Sequence, residues 1–135
     1  MENDDKRYIF KDGLVYKNQF HVIFCPKYKR PVLVNGVDTR LKEILYEEAE
    51  SLNVTIKEIN IMPDYVHMLI EFDPRIMLHK VIKHMKANSS KKLRSEFPEL
   101  VRKLPCLWTR HYFSCTDGCF NKNDILKYVD SQRGR

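Results

Sequence analysis

At 135 residues the chain has the length of one domain; a hydrophobic share of 43% suffices for a core, and a 31% charged share of mixed sign excludes a disordered tail. Lysine and arginine number 24 against 18 acids, a net charge of +6 and a pI near 9.1, which favours polyanionic partners, nucleic acid first. Four cysteines, no signal peptide and no apolar run of bilayer length point to reduced thiols in a cytoplasmic protein, not to a disulfide framework or a membrane span.

Residues 1–14 mix both charge signs around Tyr8, Ile9 and Phe10 and read as a loosely attached arm to a single domain spanning 1–135. Tyr16 to Cys25 is rich in aromatic and β-branched residues and is stopped by Pro26, which predicts a buried first strand. Asn35-Gly36 marks a turn. Asp38 or Thr39 then caps a helix in which Leu41, Ile44, Leu45, Ala49 and Leu52 recur at helical spacing. Val54 to Ile61 alternates apolar with polar, Met62-Pro63-Asp64 turns, and Tyr65 to Phe72 is apolar again, so the pair predicts a hairpin.

After Asp73-Pro74 a second helix carries Ile76, Leu78, Val81, Ile82 and Met85 on one face, continues towards Phe97 and is ended by Pro98. Leu107 to Cys115 predicts a fourth strand, and Asn123 or Asp124 caps a terminal helix within 121–133. The order βαββαβ followed by a helix is that of an α+β fold of the ferredoxin-like or RRM-like type, an antiparallel sheet covered on one face. Open sheet faces of this class often receive single-stranded nucleic acid.

Basic residues cluster twice. Lys80, Lys83, Lys86, Lys91, Lys92 and Arg94 follow one another without an acid, and Lys27, Lys29 and Arg30 surround Tyr28. Either group would suit a phosphate backbone, with Tyr28 free to stack on an unpaired base, and either is equally compatible with a plain solvated face. Cys106, His111, Cys115 and Cys119 lack the paired CxxC spacing of zinc ribbons. On a strand, Tyr65 and His67 project to the same side; on a helix, Tyr128 and Gln132 share a face with Asp124 one turn earlier. Each set alone is more often ordinary packing than chemistry.

The segment Met62-Pro63-Asp64-Tyr65-Val66-His67-Met68-Leu69-Ile70 resembles the Met-Pro-Asp-His-hydrophobic-His-Leu-Leu-Ile segment of the single-tyrosine HUH transposases of small bacterial and archaeal insertion sequences. Phe20 to Arg30 resembles that family's first strand with its Pro-Lys-Tyr-Arg-Arg exit. Leu107 to Phe113 resembles its Trp-x-Arg-x-Tyr-Phe strand, which includes Arg110, and Lys127 to Gln132 its terminal helix with Tyr and Gln four apart. These matches run in the family's order from about Tyr16 to Gln132.

The resemblance implies an enzyme that cuts and rejoins single-stranded DNA at hairpin-bearing element ends. Tyr128 would be the nucleophile, forming a 5′-phosphotyrosine and releasing a 3′ hydroxyl, with no nucleotide cofactor needed. It implies Mg²⁺ or Mn²⁺ held by His67 and Gln132, and a homodimer whose tyrosine helix can complete the partner's site. It also implies DNA backbone contacts from Lys83, Lys86, Lys91, Lys92, Arg94 and Arg110, with Lys27, Tyr28, Lys29 and Arg30 as a second group. Tyr65 stands where the pattern has its first histidine, and a neutral phenol is a poorer ligand than imidazole. Three readings follow: Tyr65 is an oxygen ligand, water completes the shell, or the site has lost metal and activity. The last would leave a module that grips hairpin single strands without cutting them; a structural or metal-binding domain with no nucleic-acid role is the remaining alternative.

Overall fold

A computed structural model describes residues 8–135. It contains a two-stranded ribbon, β1 (Ile9–Lys11) with β2 (Leu14–Tyr16), and a four-stranded antiparallel sheet built from β3 (Gln19–Phe24), β4 (Thr55–Met62), β5 (Tyr65–Glu71) and β6 (Phe113–Thr116). Between them lie α1 (Val37–Ser51), α2 (Leu78–Glu96) and a short α3 (Pro98–Lys103); α4 (Lys122–Ser131) ends the chain. The order β4-β5-β3-β6 with both long helices as crossovers is the ferredoxin-like arrangement.

The strand parity separates two faces. Val22 and Phe24 of β3 with Val66, Met68 and Ile70 of β5 point to one side and pack against Leu41, Ile44 and Leu45 of α1 and Val81, Ile82 and Met85 of α2. Each such side chain contributes about 1.5–3 kcal/mol by leaving water. Ile23 and Cys25 point to the opposite side, where Val129 of α4 covers them with Tyr65, Phe113, Phe120, Ile125 and Tyr128. The site lies on this second face.

β4 keeps its apolar side inward in spite of a broken alternation. Ile56, Ile59 and Ile61 all reach the core because the register shifts between Ile56 and Glu58, a bulge at Lys57 that absorbs the extra residue. Glu58, Asn60 and Met62 are thereby turned to the site face, where they line a cleft.

Three local expectations, the starts of α1, α2 and α4, need correction, and two others gain detail. Of the arm, Met1–Arg7 lie outside the described residues, but residues 9–16 form a hairpin whose two-residue loop, Asp12-Gly13, has positive φ at both positions (51° and 80°). That is the Asp-Gly chemistry of a tight hairpin turn. α1 starts at Val37 behind a left-handed Gly36, not behind a side-chain cap; Asp38 sits in its first turn. α2 starts only at Leu78, since residues 73–76 close a turn through Ile76 N to Asp73 O. Pro98 ends α2 and, as the first residue of the next helix, opens α3. The α4 cap is Asn121, whose side chain accepts from Asn123 N at 2.8 Å while its own amide donates to Asp124 at 3.1 Å.

The fourth strand is shorter than Leu107–Cys115. Trp108 makes only an isolated bridge to Pro26, and regular pairing begins at Phe113. In between, the carbonyls of Thr109 and His111 accept hydrogen bonds from the Lys86 ammonium at 2.6 and 3.0 Å, which satisfies them outside any ladder. All four cysteines are free thiols, and among the described residues no helix is long and apolar enough to cross a membrane.

Candidate active site

Antiparallel pairing sets Ile23 of β3 opposite His67 of β5, so His21, two residues along β3, shares the face of His67. The rings stack with centroids 5.1 Å apart, and His21 Nδ1 lies 2.9 Å from His67 Nε2. The 3-10 turn Asp117–Cys119 after β6 supplies a carboxylate: Asp117 Oδ1 is 2.7 Å from His21 Nε2. The next residue, Phe120, stacks on His21 at 3.8 Å and on His67 at 5.1 Å. Both histidines and Asp117 line an open cleft of about 710 Å³ that also receives Tyr65, Asn60 and, from α4, Lys122, Ile125 and Leu126.

Burial, reinforced by His21, lowers the His67 pKa to about 4, so its imidazole is neutral at neutral pH and keeps a lone pair. Tyr65 shares the cleft with His67, as their spacing on β5 requires. Burial and the nearby Asp64 carboxylate push its phenol above the usual range, so it too is neutral.

Tyr128 and Gln132 do not line the cleft. The Tyr128 ring packs 5.9 Å from Phe113 in the apolar layer with Ile23 and Cys25, and its hydroxyl is buried with no hydrogen-bond partner. Burial raises its pKa, the Cys25 thiol adds to the rise, and the neighbouring Thr109 hydroxyl and Arg135 oppose it. The Thr109 hydroxyl is close enough to favour the ionised phenol by hydrogen bonding, although the contact falls outside strict hydrogen-bond geometry. Gln132 is 2% exposed; its amide nitrogen donates to Ser131 at 3.1 Å and its Oε1 is likewise without a partner.

The basic residues divide. Lys86 is turned inward onto the two carbonyls above, and burial lowers its pKa to about 8. Lys92 lies 3.6 Å from Glu48, and Arg94 donates to Leu104 O. Lys29 pairs with Asp64 at 3.2 Å and approaches Asp130 of α4 at 3.9 Å. Lys83, Lys91, Arg30 and Arg110 are exposed, and Tyr28, held at φ 59°, is 41% exposed with the Lys27 ammonium 5.1 Å from its ring centre. Lys27 N donates to Leu107 O while Lys86 holds Thr109 O, so the two basic groups meet around the Leu107–Arg110 segment. Lys83 and Arg110 line one groove there with Trp108 and Tyr112.

His21, Asp117 and Phe120 were not legible as site residues from the sequence. The available signal was that Gln19, His21, Ile23 and Cys25 share one parity of β3, which places an imidazole on the face of His67 once the strands are paired. Among the described residues no three histidine, cysteine, aspartate or glutamate side chains form a ready-made metal cage.

Residues 14–132 match the family described as "Transposase IS200 like". The chain is 32% identical over 125 residues to the ISDra2 transposase TnpA of Deinococcus radiodurans, covering 91% of this chain and 89% of the relative. It is 30% identical to the transposase for insertion sequence element IS200 of Salmonella typhimurium, over 84% of this chain and 76% of that one. A crystal structure of a transposase from Deinococcus radiodurans superposes with a TM-score of 0.87 at 31% identity, covering 94% of this chain and 99% of that one. A REP-associated tyrosine transposase solved with a REP hairpin shares the fold at a TM-score of 0.56 and 13% identity, over 96% and 69% of the two chains.

Fold and matches together define a DNA transposase. The chain belongs to the IS200-like transposases of insertion sequences.

Proposed function

We propose that this transposase cuts and rejoins single-stranded DNA at hairpin-bearing element ends, with Tyr128 as the nucleophile, in the cytoplasm and as a homodimer. The observation that carries the reading is that α4 lays Tyr128 and Gln132 on the same sheet face as His67, each with a buried oxygen that nothing in the subunit satisfies. Unpaired buried oxygens cost free energy and persist where a ligand or a rearrangement satisfies them.

In the reaction, the Tyr128 oxygen displaces a DNA 3′ oxygen at phosphorus; a 5′-phosphotyrosine bond forms, a P–O3′ bond breaks, and the phenolic proton is balanced by the new 3′ hydroxyl. Reversal by another 3′ hydroxyl rejoins the strand without an external energy source. The residues fit a divalent cation, Mg²⁺ or Mn²⁺: His67 is a neutral imidazole facing the cleft, and Gln132 has an unused carbonyl oxygen. When bound, such an ion supplies charge neutralisation and orientation at the scissile phosphate.

Because Tyr128 is packed under α4 with a raised pKa, the helix must be displaced or exchanged with a partner subunit before attack. Lys83, Lys91, Arg110, Lys27 and Arg30 bind the backbone, with Tyr28 stacking on an unpaired base. The test is incubation with end-derived hairpin DNA and Mn²⁺, followed by denaturing electrophoresis. The reading expects a protein–DNA adduct that is absent in Tyr128→Phe; salt-sensitive binding with no adduct from the unaltered protein would instead establish a binding module.

A further inference from the structure

The cleft contains an imidazole that the motif-based assignment does not use. His21 Nδ1 stands 2.9 Å from His67 Nε2. Two adjacent ligands of an octahedral cation with bonds of about 2.1 Å lie about 3 Å apart. The two nitrogens therefore already have the spacing of a neighbouring ligand pair.

The proton positions support the same role. Asp117 Oδ1, 2.7 Å from His21 Nε2, holds the His21 proton on Nε2 and leaves Nδ1 with its lone pair towards His67. A carboxylate behind an imidazole is the usual support of a metal-bound histidine. The contact between the rings is then a hydrogen bond from His67 Nε2–H to His21 Nδ1. Moving that one proton to His67 Nδ1, a tautomer change with no net proton loss, leaves both facing nitrogens unprotonated and available to one ion. Phe120, stacked over both rings, keeps them nearly parallel, with interplanar angles of 14° and 13°. Two imidazoles, with the unused Gln132 carbonyl oxygen once α4 moves, leave the other positions to phosphate oxygens and water, as Mg²⁺ and Mn²⁺ prefer.

We propose that His21 Nδ1 and His67 Nε2 together bind the divalent cation, that Asp117 positions His21, and that Tyr65 is a wall of the cleft and not a ligand. This rests on the reading of the protein as a metal-dependent transposase. It resolves how the site retains two imidazoles although Tyr65 replaces the first motif histidine: the second comes from β3, across the sheet.

The experiment is Mn²⁺ titration of the full chain by calorimetry, with circular dichroism to show that each variant is folded. Tyr65→Phe is expected to bind within twofold of the unaltered protein. His21→Phe and His67→Phe are each expected to weaken binding more than tenfold, and Asp117→Ala about tenfold. Retained affinity in folded His21→Phe, or a loss in Tyr65→Phe matching that in His67→Phe, overturns the inference while leaving metal-dependent cleavage standing. No Mn²⁺ uptake by the unaltered protein overturns both.

Discussion

Tyr128 and Gln132, four residues apart on the last helix, each bury a side-chain oxygen with no hydrogen-bond partner. Such a pair on one helix face is destabilising by itself, about 1–3 kcal/mol for each buried group left unpaired. The expected consequence is a trade between stability and activity. Tyr128→Phe should raise unfolding stability by roughly 1 kcal/mol in denaturant titration while abolishing adduct formation. A marked loss of stability in this variant would mean that the hydroxyl has a partner in the native protein.

The acid side of the stability profile should bear the mark of His67. Its folded pKa, about 4, is depressed below the ordinary histidine value of about 6.5, so the unfolded chain takes up the proton first. The contribution is fully present above pH ~6.5 and is lost as pH falls towards 4, amounting to roughly 3 kcal/mol at about 1.4 kcal/mol per unit. Urea unfolding midpoints between pH 7 and 4 should therefore fall more steeply for the unaltered protein than for His67→Gln. Equal slopes would contradict the burial of a neutral imidazole.

The lysines of α2 should separate into two behaviours. Lys86→Met leaves the carbonyls of Thr109 and His111 without their donor and should cost about 1–3 kcal/mol of stability. Exposed Lys83 and Lys91, changed to alanine, should leave stability within about 0.5 kcal/mol. Each of these should weaken hairpin binding and lower the slope of log K against log salt by about 1. Fluorescence anisotropy across a salt series measures this, and an unchanged slope in Lys83→Ala/Lys91→Ala would remove α2 from the DNA surface.

Lys29 ties the β4–β5 turn to α4 through Asp64 and Asp130. Lys29 and Asp64 are half-buried and Asp130 is exposed, and pairs so close to solvent are weak, about 0.2–1 kcal/mol, so Lys29→Met should leave the sheet intact yet loosen the helix. Amide exchange in 122–131 should accelerate while that of β3 and β5 does not; unaltered α4 exchange would show that apolar packing alone seats the helix.

Much of this was legible before any coordinates. The apolar periodicity of α1 and α2, the β4–β5 hairpin and the shared face of Tyr65 and His67 all follow from local pattern, because sheet and helix periods fix which side chains travel together. The missing parts depend on tertiary contacts. The interruption before Phe113 arises from Lys86, more than twenty residues away, bonding the carbonyls that would have extended the strand. The His21–His67 pair depends on strand order and register, which bring together residues far apart in the chain. The inward turn of Lys86, Lys92 and Arg94 is likewise invisible in a charge pattern.

As the nucleophile, Tyr128 becomes covalently joined to DNA. Mass spectrometry of the trypsin-digested, nuclease-trimmed reaction with hairpin DNA and Mn²⁺ detects that bond. A 5′-phosphonucleotide is expected on the peptide running from Tyr128 to Arg133. An adduct on any other residue, Tyr65 included, would contradict it.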